Sequence, residues 1–387
     1  MVSITDKFAK TPLGPNRHLI GVAGGRAAIN TPCLVLDIGR LNDNIRKAAA
    51  ICKGEGIALR PHAKTHKCSH IAKLQIEAGA KGICVATIGE AEALAAAGIA
   101  DILVTSALTQ QVKMERAVAL AKSIQLTLVA DDPGVIDRID ETARHAGVQI
   151  PVLIDVDLGR RRNGVTSAEQ ALNVAGAIAK SASLRLAGMQ AYASHISHLS
   201  GFADRKAASL ECAKTISELK DALTSCGHHI ETVSGGSTGT LSIDPELGCY
   251  TELQCGSYVF SDVEYDAIDL TGTGSTPFRP ALFVHVSVIG RNVPGRVTCD
   301  GGNKHFSAKG TLPRFVDAPA PGAIYRPDSD EHGFIELPAG GEQPLLGAGF
   351  DLIVPHCDPT VNLYDYFHIV DGETLIDIWP IEGRGAF

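Results

Sequence analysis

A chain of 387 residues with 45% hydrophobic and 20% charged residues holds enough apolar material for a large core, which excludes a disordered protein. Its formal charge of −8 argues against a nucleic-acid surface, which needs a basic face to displace counterions, and no apolar run is long enough to cross a bilayer. Met1–Lys7 lacks the charged-then-apolar layout of a secretion signal, and the ten cysteines form no CxxC pair, so reduced and mostly buried thiols in a cytoplasmic protein are expected.

In chain order, the first helix is predicted from near Leu41, where Leu41, Ile45, Ala48 and Cys52 share a face, to a stop at Gly54. A short strand at Ile57-Ala58-Leu59 runs into Arg60-Pro61-His62, and a second, Gly82–Ala86, runs into Thr87-Ile88-Gly89-Glu90, a capping box that opens a helix closing at Gly98. Strands follow at Asp101–Thr105, Leu126–Ala130, Ile150–Asp155, Leu184–Met189, Glu231–Ser234 and Glu252–Cys255. Helical stretches separate most of them, the longest at about Asp204–Ser225. Near-continuous apolar strands alternating with helices mean a parallel sheet covered on both faces. About eight units fit an α/β fold of the closed (β/α)8 barrel kind, with an open doubly wound sheet as the alternative. From about Pro277, Val284, Val286 and Val288 alternate with His285 and Ser287, Gly and Pro become dense, and a mostly antiparallel β domain is expected.

Reacting groups of a barrel sit after its strands, at the C-terminal rim. After strand one comes Arg60-Pro61-His62-Ala63-Lys64-Thr65-His66-Lys67; Lys64 there could be a Schiff-base lysine, or the four basic residues could be a solvated cluster. Strand seven leads to Ser234-Gly235-Gly236-Ser237-Thr238-Gly239, a phosphate cradle or a flexible turn. Strand five leads to Arg160-Arg161-Arg162, solvent-facing or paired with an anion, and strand six leads to Tyr192, His195 and His198, where either histidine could be a base or a hydrogen-bonded side chain. In the β domain, His356 and Asp358 are two residues apart. On an extended segment they would point the same way, with Cys357 pointing away, as a metal pair or as a His–Asp hydrogen bond.

Taken together, these motifs resemble the D-threonine aldolase and D-serine dehydratase family, fold-type-III pyridoxal-phosphate enzymes related to alanine racemase. The likeness runs from Thr31–Asp37 through the Lys64 signature, Gly188–Tyr192, Ser234–Gly239, Glu252–Tyr258 and Asp330–Gly333 to Pro355–Thr360. It implies a pyridoxal-phosphate barrel over 37–265, and a β domain built from 1–36 plus 266–387 that carries the metal. It further implies that Lys64 carries the cofactor, that Arg162 and Tyr192 border it, and that Ser237, Thr238, Gly239, Gln254, Ser257 and Tyr258 hold its phosphate and ring edge. His356 and Asp358 would bind a divalent metal, Mn2+ or Mg2+ in preference to Zn2+, and His66, His198 or a water on the metal would take the substrate's hydroxyl proton.

Asp358 resembles the aldolase branch, which implies cleavage of a D-3-hydroxy amino acid to glycine and an aldehyde; the dehydratase branch, with a His-x-Cys pair and zinc, is the rival. Three departures from the aldolase pattern border the substrate: Ala86-Thr87, Ala193 after the barrel tyrosine, and Asp300-Gly301-Gly302-Asn303-Lys304. A non-catalytic cofactor carrier and a racemase are the readings from other classes, and a homodimer is expected of such a fold.

Overall fold

The computed structural model of the protein describes residues 13–307 and 311–387; Met1–Lys7, on which the absence of an export signal was argued, lies outside them. The described chain divides into two compact units. One comprises Ile45–Tyr258, Ile268–Pro277 and Gly385–Phe387; the other comprises the described residues up to Asn44, Val259–Ala267 and Phe278–Arg384. The expected boundaries, 37 and 265, differ from these because the chain changes unit inside its first helix, and because Val259–Ala267 lies with the other unit while Ile268–Pro277 lies with the first.

Regular structure opens with β1 (Cys33–Asp37) and α1 (Ile38–Gly54). The helix starts ahead of Leu41 because the Asp37 carboxylate accepts from Arg40 N at 2.9 Å and so caps the first turn. The barrel unit continues with β2 (Ala58–Leu59), α2 (Ser69–Glu77), β3 (Ile83–Val85), α3 (Ile88–Ala96), β4 (Asp101–Val104), α4 (Gln111–Leu120), β5 (Gln125–Ala130), α5 (Pro133–Ala146), β6 (Ile150–Val156), α6 (Ala168–Lys180), β7 (Leu184–Ala191), α7 (Phe202–Ser225), β8 (Thr232–Gly235) and β9 (Glu252–Leu253).

The order β2-β9-β8-β7-β6-β5-β4-β3 is parallel throughout. Its ends meet where His62 bridges Cys84 and Lys81 N donates to Leu59 O at 2.9 Å, so the eight strands curl into a barrel rather than an open sheet. Cys84, Leu103, Val129, Leu153 and Ala187, one from each of five neighbouring strands, pack as a buried layer. Helix starts are set by side chains: Thr87, Asp132 and Ser167 accept from Glu90 N, Val135 N and Gln170 N. The Thr87-x-x-Glu90 box is only half made, because the Glu90 carboxylate turns instead to Ala86 N (2.7 Å) and Lys67 Nζ (2.9 Å).

In the other unit, α8 (Val263–Asp266) precedes β10 (Leu282–Gly290), β11 (Arg296–Cys299), β12 (Arg314–Phe315), β13 (Ile324–Pro327), β14 (Gly333–Glu336), β15 (Gly349–Ile353), α9 (Cys357–Val361), β16 (Tyr366–Asp371) and β17 (Thr374–Pro380). β1 lies between β10 and β16, and its pairing with β16 is parallel while the remaining pairings of this sheet are antiparallel. Cys33, Val35, Phe283, Ile353, Val370 and Ile378 share one core. None of the ten cysteines forms a disulfide among the described residues, and only Cys226 is exposed. No described helix is long and apolar enough to cross a membrane.

Candidate active site

Lys64 stands in a short helical turn, Ala63–Thr65, between β2 and α2. The surrounding basic residues are not a solvated cluster. Arg60 points to the opposite end of the barrel, where it pairs with Glu252 (2.9 Å) and Asp101 (2.7 Å) beside a polar cavity of about 450 Å³. His62 is buried; its Nδ1 accepts from Lys64 N at 3.3 Å, and its Nε2 donates to Thr105 Oγ1 at 3.0 Å, whose own proton goes to Val85 O. His66 is fully buried with both nitrogens engaged: Nδ1 accepts from Cys68 N at 3.1 Å and Nε2 meets Gln75 Oε1 at 3.2 Å. Gln75 in turn donates to Tyr258 Oη at 3.0 Å, so His66 ties the lysine segment to the loop after β9.

The Lys64 Nζ lies 5.8 Å from the centre of the Tyr192 ring, and the Arg162 guanidinium carbon lies 5.9 Å from the same ring. Sequence-predicted groups from three rim loops therefore converge on one aromatic ring. Arg162 is exposed and donates to Asn163 Oδ1 (2.7 Å), and Asn163 donates to Asp155. Burial pushes Asp155 up from 3.8 to about 6, against the lowering effect of a 2.8 Å bond from Gln190 Nε2 and of Arg162. The Gln254 amide donates to Gln190 Oε1 (3.2 Å) and Ser234 Oγ (2.9 Å), continuing this buried chain. His195 and His198 are both exposed.

The turn after β8 is tied to its surroundings by side-chain hydrogen bonds. Ser237 and Thr240 complete a reciprocal capping box, and Thr238 Oγ1 accepts from Tyr258 N at 3.0 Å. Arg205, fully buried on α7, donates to Gly239 O at 2.6 Å and to the carbonyls of Leu199 and Asp269. Sequence reasoning missed this arginine, since nothing in the α7 periodicity distinguishes it. Two buried hydroxyls at this place lack a hydrogen-bond partner among the described residues: Ser197, whose carbonyl packs against Gly239, and Thr65, which packs against Gly256 beside the buried Ser257. Unclaimed donors, an amine and a guanidinium fit a phosphate-bearing aldehyde cofactor.

In the β unit, His356 is the residue before α9, and the segment that follows is helical, not extended. The premise that Cys357 points away from His356 therefore fails. Ligand atoms of Asp262, His356 and Cys357 lie within 4.8 Å of one another. Asp358 adjoins them, with its Oδ1 3.5 Å from Cys357 Sγ. Burial lowers the His356 pKa, but the Asp262 hydrogen bond and the carboxylates of Asp358, Asp262 and Glu264 outweigh it and raise the net value. His356 with the adjoining Asp358 carboxylate gives an N,O pair that fits a divalent cation, and the Cys357 thiol beside them adds a softer donor. Asp262 was not foreseen.

Residues 36–263 match the alanine racemase N-terminal domain, and residues 281–370 match a putative serine dehydratase domain. A D-threonine aldolase from Arthrobacter sp is 34% identical over 93% of this chain and 94% of its own. A 3-hydroxy-D-aspartate aldolase from Paracoccus denitrificans is 36% identical, covering 92% of each. The crystal structure of D-threonine aldolase from Filomicrobium marinum superposes with a TM-score of 0.88 at 33% identity, over 93% of this chain and 96% of that one. An eight-stranded parallel barrel with a convergent lysine, arginine and tyrosine, followed by a β unit matched by the serine dehydratase domain, carries the same conclusion as these likenesses: the chain belongs to the D-threonine aldolase and D-serine dehydratase family, the pyridoxal-phosphate enzymes built on the alanine-racemase N-terminal domain.

Proposed function

We propose that this chain is a carbon–carbon lyase that cleaves D-3-hydroxy amino acids between Cα and Cβ, giving glycine and an aldehyde, and that it uses pyridoxal phosphate and a divalent cation. The observation that carries the proposal is the convergence of Lys64 and Arg162 on Tyr192, in a chain whose relatives of 34 and 36% identity are named for such cleavage. Lys64 would hold the cofactor, with Ser237, Thr238, Gly239, Ser257 and the Thr65 and Ser197 hydroxyls around its phosphate. When bound, pyridoxal phosphate supplies an electron sink for the pair left on Cα. His356 and Asp358 would hold Mn2+ or Mg2+, which supplies Lewis acidity toward a hydroxyl.

The chain's own groups divide the remaining work. Arg162 is the cation suited to a substrate carboxylate, which its planar fork pairs in bidentate fashion, or to a single hydrogen bond with a ring oxygen. Tyr192 gives the flat wall against which Lys64 and Arg162 are set. His66 is unsuited to proton transfer with substrate, since both of its nitrogens are bonded within the fold. His198, exposed in the loop after β7, is the histidine we assign as acceptor of the hydroxyl proton. Gln254 acts through Gln190 and Ser234 to keep the barrel mouth polar and fixed. The same reading takes the enzyme to be a cytoplasmic homodimer, in keeping with cysteines that form no disulfide among the described residues.

The test incubates the cofactor-loaded protein with single enantiomers of threonine, serine and 3-hydroxyaspartate, with and without EDTA, and identifies the products by chromatography. Glycine plus aldehyde from the D-substrates, lost with EDTA and lost in Lys64→Ala, is expected. An oxoacid with ammonia would replace aldol cleavage by dehydration. The mirror amino acid would make the protein a racemase, and full activity after chelation would remove the metal from the reaction.

A further inference from the structure

We infer that Asp262 is a positioning residue for the metal site: its carboxylate fixes the tautomer and orientation of His356 so that Nε2 is the nitrogen presented to a divalent cation. The inference rests on the proposed metal dependence and adds a residue that the His356–Asp358 pair does not include.

Asp262 is 0% exposed, and a carboxylate so buried has to be satisfied by donors from the fold. Three are in place. Oδ1 accepts from Tyr265 N at 2.9 Å and caps α8, whereas Oδ2 accepts from Cys357 N at 2.9 Å and faces His356 Nδ1 at 3.1 Å. Capping α8 requires only the first oxygen. The second reaches a segment 94 residues away and bonds both His356 and the amide that follows it. Backbone bonds hold the two segments in register, Val263 N to Val354 O at 3.1 Å and Glu264 N to Pro355 O at 3.3 Å.

A carboxylate only accepts, so Nδ1 of His356 must donate, and in the neutral ring the lone pair then sits on Nε2. A metal-held histidine whose other nitrogen donates to a carboxylate is more basic and is fixed in orientation. Glu264 Oε2 stands 3.6 Å from the same Nδ1, beyond hydrogen-bond reach, and is a poorer candidate for this role.

The backbone that delivers Asp262 is strained. Ser261 has a φ of +50°, is 2% exposed, and keeps a buried hydroxyl with no hydrogen-bond partner among the described residues. Such conformations persist where the surrounding structure over-determines them, and they cluster at functional sites. The strain sits one residue before the carboxylate that meets His356.

The test measures Mn2+ binding to the full-length, cofactor-loaded protein by calorimetry for wild type, Asp262→Asn, Glu264→Gln and His356→Ala, with Tm of each metal-free protein beside it. Asn keeps an acceptor for the α8 cap. Asp262→Asn is expected to raise Kd about 10- to 100-fold in a metal-free protein that still melts cooperatively, at a Tm lowered by the lost acceptor for Cys357 N, and Glu264→Gln to leave Kd within a few-fold. An unchanged Kd in Asp262→Asn would overturn the inference. So would a loss as complete as that in His356→Ala, which would make Asp262 a direct ligand. A wild type that takes up no Mn2+ would overturn the metal reading itself, and this inference with it.

Discussion

Asp244 lies buried beneath the Ser237–Thr240 turn and accepts a hydrogen bond from the Thr240 hydroxyl. Burial raises its carboxyl from 3.8 to about 6 in spite of that bond. Because the folded value lies above the unfolded one, the fold holds a proton that the unfolded chain has released. Stability from this group therefore declines as pH rises from about 4 through 6, and above that the penalty is complete, at about 3 kcal/mol. Asp244→Asn keeps an acceptor without the charge. Its Tm relative to wild type is expected to climb by a few degrees between pH 4 and pH 7 and then to level off, as followed by thermal denaturation at each pH. A difference between the two proteins that stays flat with pH would show that the carboxyl is not held protonated. Asp155 titrates by the same physics, so wild type alone would not isolate the effect.

At the scale of elements, the Ser237–Gly239 turn depends on close backbone approach. A Cβ on Gly239 would sit 2.0 Å from Ser197 O, and Arg205 already grips Gly239 O, so neither partner can give way. Gly239→Ala is expected to weaken pyridoxal phosphate uptake at least tenfold, read from an absorbance titration, and to lower Tm. Gly176→Ala on α6, where a Cβ meets nothing within 4 Å, is the control and should gain about 0.5–1 kcal/mol in stability. Uptake as tight in Gly239→Ala as in this control would show that the turn tolerates a side chain.

The elements themselves were legible in the sequence. Continuous apolar strands, helix caps such as Thr87 and stops such as Gly227 are local signals, and Val284, Val286 and Val288 announced the strand β10. Lys64 and the Ser237–Gly239 turn were legible as motifs. The partners of His356 were not, because Asp262 meets it across 94 residues and no spacing rule reaches that far. The helix at α9 could have been read: Pro359 in a first helical turn is a start signal, and it argues against the extended segment assumed for His356 and Asp358.

For the whole molecule, the decisive feature is that neither compact unit is one stretch of sequence. β1, near the start of the described chain, is completed only by β10 and β16: Val35 faces Phe283 on one side and His368 on the other. Leu34, Val35 and Leu36 are essentially fully buried there. A chain ending at Pro277 would retain every barrel strand yet leave β1 with both edges unpaired and its apolar side chains uncovered. Unpaired apolar edges recruit other strands, and uncovered apolar area promotes association. Such a chain is therefore expected to aggregate, or to bind a hydrophobic dye strongly, even though the Lys64 barrel is intact in sequence. A soluble, monomeric 1–277 protein with a cooperative melt and low dye binding would show that the barrel unit needs nothing from the segments that complete β1. The sequence boundary at 265 would then describe a folding unit rather than a change in residue pattern.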